Sequence, residues 1–236
     1  MGRAFEYRKA SKLKRWGAMS KLFPKRGKII TMAAKEGGSD PDSNSKLRTA
    51  ILNAKSENMP KDNIEAAIKR AAAKDTASML EVNFEGKAPH GVLIFIECMT
   101  DNNTRTVANV KNILTKHGGE LLTNGSLEFM FDRKALIEFK QTDDMDIEEL
   151  ELELIDAGLE EIEAEDGEVL ITGDYTSFGT ITTALEEMNI EITKANLERM
   201  ANTPLCITEE QQADIDKILE RLEDDEDVQK VFTNLA

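Results

Sequence analysis

Cys98, Asp101 and His117 are the side-chain types of a nucleophile, an orienting acid and a base. Each also has a plainer reading. Cys98 closes the apolar run GVLIFIEC and reads as core. His117 ends a helical pattern, where the negative end of the helix dipole favours a partly positive imidazole. No P-loop, no dinucleotide-binding glycine pattern and no nucleophile elbow accompanies them. The sequence therefore assigns no catalytic residue, and the chain is not expected to be an enzyme. His90 and His117 are the only histidines, and Cys98 and Cys206 form no paired motif, so neither metal nor cofactor is expected.

Two short polar tracts invite ligand chemistry. TDNNTRT (100–106) lies between a buried strand and a helix start, where backbone N–H groups attract anions. Thr104 and Arg105 are its candidate anion-loop residues, with simple helix capping as the structural alternative. In LEDDEDV (222–228), Glu223, Asp224, Asp225 and Asp227 crowd a helix C-terminus, an arrangement the dipole disfavours. The tract lacks the spaced ligands and glycine turn of a calcium loop. It reads instead as a candidate surface for a basic protein partner.

The clearest chemistry is cationic. The first 28 residues hold ten Lys or Arg and one acid. Residues 1–80 carry 18 Lys/Arg and 8 Asp/Glu, a net of +10, while residues 81–236 carry 12 and 37, a net of −25. A basic module attracts polyanions and an acidic one repels them. The candidate nucleic-acid contacts are Arg3, Arg8, Lys9, Lys12, Lys14, Arg15, Lys21, Lys25, Arg26, Lys28, Lys61, Lys69 and Arg70. Aromatics make up only 5% of the chain, which argues against a wide base-stacking platform.

These residues need a scaffold, and the periodicity supplies one. Three helices are expected in residues 1–80: SKLFPKRGKIITMAAKEGG, SKLRTAILNAKSEN with Leu47, Ala50, Ile51 and Ala54 at i, i+3, i+4 and i+7, and NMPKDNIEAAIKRAAAK. After residue 80 the pattern becomes mixed. GVLIFIEC is read as a strand, TRTVANVKNILTKHGG as a helix, and ELL and SLEFMFD as strands, the last with Leu127, Phe129 and Phe131 on one face. A complete β-α-β-β-α-β set follows, with a hairpin about Asp166-Gly167. A final helix and strand supply what the earlier unit lacks. The expectation is an α+β chain of three domains: residues 1–80, a ferredoxin-like unit of 81–132 plus 205–236, and a second one, 133–204, inserted into it.

The longest purely apolar run, residues 92–96, is far too short for a membrane span. No apolar segment follows the basic start, so no secretory signal is expected. Two unpaired cysteines suit a reducing cytoplasm.

DPDSNSKLRTAI (40–51), NMPKDNIEAAIKRA (58–71), FEGKAPHGV (84–92), TDNNTRTV (100–107), KHGG (116–119), GSLEFMF (125–131) and LEDDEDVQKVF (222–232) together resemble the YebC family. The inserted segment is similar to it more loosely, through DAG (156–158), DG (166–167) and Pro204. The resemblance implies the same three-domain arrangement and a non-enzymatic role in gene expression. It implies a DNA-binding transcriptional regulator, or a translational activator associated with rRNA or tRNA on the ribosome. Members commonly begin G-H-S-K-W; this chain begins MGRAFEYRK.

Overall fold

The computed structural model describes residues 19–73 and 79–236. Among the described residues three helices come first: α1 (Met19–Gly37), α2 (Ser45–Ser56) and α3 (Lys61–Ala71). Their core is Ile30, Leu47 and Ile64 interleaved with Ala33, Ala50, Ala54 and Ala67, small residues that let helix axes approach closely. Asn44 fixes the α1–α2 corner. Its carboxamide accepts from Leu47 N–H (3.1 Å) as a helix cap and donates to the Ala33 and Gly38 carbonyls (both 2.8 Å). It lies so close to Gly37 that a Cβ there would meet it at 2.6 Å.

Two four-stranded sheets follow. The first uses β1 (Leu80–Lys87), β2 (Leu93–Thr100), β3 (Glu120–Leu121) and, from the far end of the chain, a strand at Val228–Thr233. The second uses β4 (Phe131–Lys140), β5 (Leu159–Glu165), β6 (Glu168–Asp174) and β7 (Ile192–Ala201), so the late strand is β8. The orders are β3-β1-β2-β8 and β5-β6-β4-β7, antiparallel throughout. Helix α4 (Asn103–Lys116) joins β2 to β3. Helices α5 (Ile147–Ile155) and α6 (Phe178–Glu187) belong to the second sheet, and α7 (Glu209–Asp224) leads back to the first.

The second sheet follows the split β-α-β-β-α-β path that periodicity predicts. The first reaches a similar layout differently, opening with the β1–β2 hairpin in register Phe84↔Ile96. The expected strand at SLEFMFD is replaced by a 3-10 turn at Glu128–Met130. Leu127 and Phe131 are buried there, but Phe129 stands 74% exposed. The missing fourth strand is Leu80–Lys87, whose Glu81, Asn83, Glu85 and Gly86 hide it from propensity. Glu85 is buried because its carboxylate accepts from the Gly125 N–H (2.7 Å) and the Leu127 N–H (2.5 Å), which pins the turn in place of a ladder.

On β2 the side chains alternate. Ile94, Ile96 and Cys98 face Val110 and Leu114 of α4 and Ile215, Ile218 and Leu222 of α7. The opposite face gives Phe95, which packs with Leu127, Phe131 and Phe232 where the two sheets meet. Arg199 of β7 closes that joint, its guanidinium 3.8 Å from the Phe95 ring centroid and its Nε 3.0 Å from Glu97. Among the described residues, no helix is long and apolar enough to cross a membrane.

Candidate nucleic-acid interface

Arg3, Arg8, Lys9, Lys12, Lys14 and Arg15 lie outside the described residues. Lys21 lies within α1, and only its backbone is described. The remaining expected contacts fall into two groups with different surroundings.

The α1 cations face inward. Arg26 makes a bidentate pair with Glu57 at the end of α2 (2.6 and 2.5 Å), with both side chains nearly buried. It ties two helices together, and its fork geometry suits that role. Lys25 donates to the Glu223 carbonyl (2.6 Å), and Lys28 donates to the Glu226 carbonyl (2.7 Å) and to Asp227 Oδ1 (3.2 Å). The last turn of α7 has a single cation of its own, Arg221, and α1 brings Lys25 and Lys28 to the same end. Burial pushes the Lys25 ammonium below its ordinary range, against the pull of Glu223, Asp225 and Asp224.

The α3 cations face outward. Lys61 is exposed and 3.8 Å from Glu65 one turn on, and Lys69 is exposed. Arg70 reaches over Gly27 on α1 and to the Ala66 carbonyl (3.4 Å).

The anion loop holds an anion, and it is the chain's own. Asn102 caps α4 through the Arg105 N–H (3.1 Å). Arg105 Nη2 then reaches Asp227 Oδ2 at 2.8 Å and Asp101 at 2.9 Å. Thr106 and Thr100 hydroxyls add bonds to the same Asp227 oxygen (3.0 and 3.2 Å). Thr104 is exposed beside them. Burial raises the Asp227 carboxyl, but the bonds from Arg105, Thr106 and Lys28 outweigh it and hold it below the ordinary 3.8.

This geometry corrects the picture of a free acidic partner surface. Asp227 is buried, and Asp225 accepts from Asn109 (3.1 Å) and from the Asp227 N–H (2.9 Å). Glu223 and Asp224 remain on the exposed side. The sequence could not show that basic and acidic tracts separated by 198 residues meet each other.

Cys98 and His117 both sit in structural surroundings. Cys98 is buried, and burial together with Asp225 and Asp227 pushes its thiol up to about 12, so it stays protonated. His117 caps α4, its Nδ1 2.8 Å from the Ile113 carbonyl. Among the described residues no group of three His, Cys, Asp or Glu is placed to hold a metal ion.

A second seam, not anticipated, joins α2 to the second sheet. The Asn53 carboxamide pairs with both backbone groups of Ala195, accepting its N–H (3.0 Å) and donating to its carbonyl (2.7 Å), and also donates to Asn196 Oδ1 (3.1 Å). It covers the outer side of edge strand β7 as another strand would. An Asn among alanines and leucines was the only signal of it.

Comparison with known families agrees over nearly the whole chain. Residues 3–74 match the N-terminal domain of the TACO1/YebC protein, and residues 79–235 match the second and third domain of TACO1/YebC. The chain belongs to the TACO1/YebC family. A probable transcriptional regulatory protein of Sulfurimonas denitrificans is 79% identical over the full length of both chains. One from Wolinella succinogenes is 64% identical, again over all of both. A conserved hypothetical protein of Aquifex aeolicus, solved by crystallography, superposes with a TM-score of 0.77 at 34% identity, covering 95% of this chain and 93% of that one. The TACO1/YebC relatives carry names of regulatory proteins, and this chain shares their α+β architecture.

Proposed function

We propose that this TACO1/YebC protein is a cytoplasmic, DNA-binding transcriptional regulator that acts by binding rather than catalysis. The observation that carries the reading is the change of charge sign, +10 over residues 1–80 against −25 over the rest. The basic helical domain meets the polyanion, while the acidic sheets, assigned to residues 81–132 with 205–236 and to 133–204, are held away from it. The phosphate-facing groups are Arg3, Arg8, Lys9, Lys12, Lys14, Arg15 and Lys21, continued by Lys61, Lys69 and Arg70. Lys25, Arg26 and Lys28 stand at its inner border, where each already has an internal partner.

The second reading, contact with rRNA or tRNA as a translation factor, rests on the same basic module, since phosphate contacts do not distinguish one nucleic acid from another. In-cell crosslinking, followed by sequencing of the recovered nucleic acid, separates the two. Enrichment of promoter DNA supports the first, enrichment of ribosomal or transfer RNA supports the second, and recovery of neither removes both.

A further inference from the structure

Lys25 and Lys28 project from the basic helix, yet both end in the acidic turn after α7. Their partners include two main-chain carbonyls and a carboxylate, the same oxygen chemistry that a phosphodiester offers. The turn is in turn gripped from beneath by Arg105, Thr106 and Asn109 of α4, so it does not travel with α1. On its other side the helical unit is held by the neutral pairing of Asn53 with Ala195. The helical unit is thus clamped by charge through α1 and by amide bonds through α2.

We propose that the acidic turn 223–227 is a built-in competitor for the polyanion. It occupies Lys25 and Lys28 in the free protein, and a bound nucleic acid displaces it and takes over both lysines. The proposal rests on the polyanion reading above. It adds that α1 swings away from α7 on binding, with the Asn53 seam as the pivot.

The test uses the full chain and a short fluorescein-labelled nucleic acid, prepared as duplex DNA and as RNA. In E223Q/D224N/D225N the acids that draw Lys25 to the turn lose their charge, while Asp227, which pairs with Lys28, is left intact. The expected result is binding about fivefold tighter, the scale of one surface ion pair. Both forms place Lys25 and Lys28 on phosphate in the complex, so the log–log salt slope should stay the same, whereas K25A/K28A should flatten it by about 0.7–0.9 for each lysine lost. The control E148Q/E149Q/E151Q removes the same charge from exposed positions on α5 and should tighten binding less. Equal tightening by both triples, or a K25A/K28A slope equal to that of the wild type, would overturn the proposal.

A second measurement keeps the native turn. Fluorophores at Ser39→Cys and Glu220→Cys, both exposed sites, in a Cys206→Ser chain report the α1–α7 separation. Energy transfer should fall as the probe saturates the protein, and also as salt rises without any probe. Unchanged transfer at saturation contradicts displacement. If no form of the protein binds either probe, the polyanion reading fails and the competition with it, while the salt titration still shows whether the ionic clasp opens.

Discussion

Where α2 meets β7, the contact is neutral and buried; where α1 meets the turn after α7, it is charged and lies at the rim. Asn53 makes three hydrogen bonds to Ala195 and Asn196 in a site closed to water. Lys25 and Lys28 make theirs half-exposed. A buried amide pair is costly to open because each group would be orphaned. A rim ion pair trades readily with solvent and salt. The comparison teaches that one chain can anchor a domain firmly at one point and leave it releasable at another, with the releasable point placed on the residues that a polyanion would want.

The largest effect is expected from breaking the firm seam. Asn53→Leu leaves the Ala195 N–H and carbonyl without partners, at a cost of about 2–3 kcal/mol. Urea denaturation of the full chain should show a lower midpoint, and amide exchange at Ala195 should accelerate. An unshifted midpoint would mean that the seam contributes little.

Asp227→Asn keeps the shape of the side chain but removes its charge from between Lys28, Arg105, Thr106 and Thr100. With Arg105 half-exposed, the expected loss is about 1–2 kcal/mol, smaller than for a fully enclosed pair. The pH dependence sharpens this prediction. The folded carboxyl is depressed below 3.8, so its stabilisation is present above that value and fades as the pH falls through the folded pKa. Lys28 from α1, Arg105 and Thr106 from α4 and Thr100 from β2 face the carboxylate, and Asp225 within the turn accepts the Asp227 N–H. Acid titration of the wild type and Asp227→Asn should therefore converge at low pH. Curves that stay parallel would assign the depressed pKa elsewhere.

Breaking the rim clasp alone, with Lys25→Ala and Lys28→Ala together, should cost no more than about 1 kcal/mol at low salt and less at high salt. A destabilisation comparable to that of Asn53→Leu would show the two seams to be alike. The smallest perturbation is chemical labelling. Cys206 is exposed and Cys98 is buried, its thiol pushed up to about 12. A thiol reagent at neutral pH should consume one equivalent rapidly, and the second only on unfolding.

Much of this was legible in sequence because it is local. The apolar spacing of Leu47, Ala50, Ile51 and Ala54 gives α2, and the Asp166-Gly167 pair, both at positive φ, gives the β5–β6 turn. His117 as a helix cap followed from its place at a helix end. What was missed depends on partners distant in the chain. Leu80–Lys87 reads as too polar for a strand until the turn at Gly125 and Leu127 is seen to satisfy Glu85. Phe129 fits a strand alternation with Leu127 and Phe131, but tertiary packing chooses only those two. The acidic tract reads as a surface awaiting a partner because its acids outnumber Arg221, the cation of the helix's own last turn. Lys25 and Lys28, which join it there, come from far earlier in the sequence.

The most direct test of the central claim is the salt dependence of nucleic-acid binding by the full chain and by K12E/R15E/K61E/K69E, which keeps Lys25, Lys28 and Asn53 unchanged. The slope of log affinity against log salt should flatten by about 0.7–0.9 for each phosphate that is no longer neutralised, with affinity falling at every salt concentration. An unchanged slope would place the polyanion elsewhere on the molecule and contradict the account.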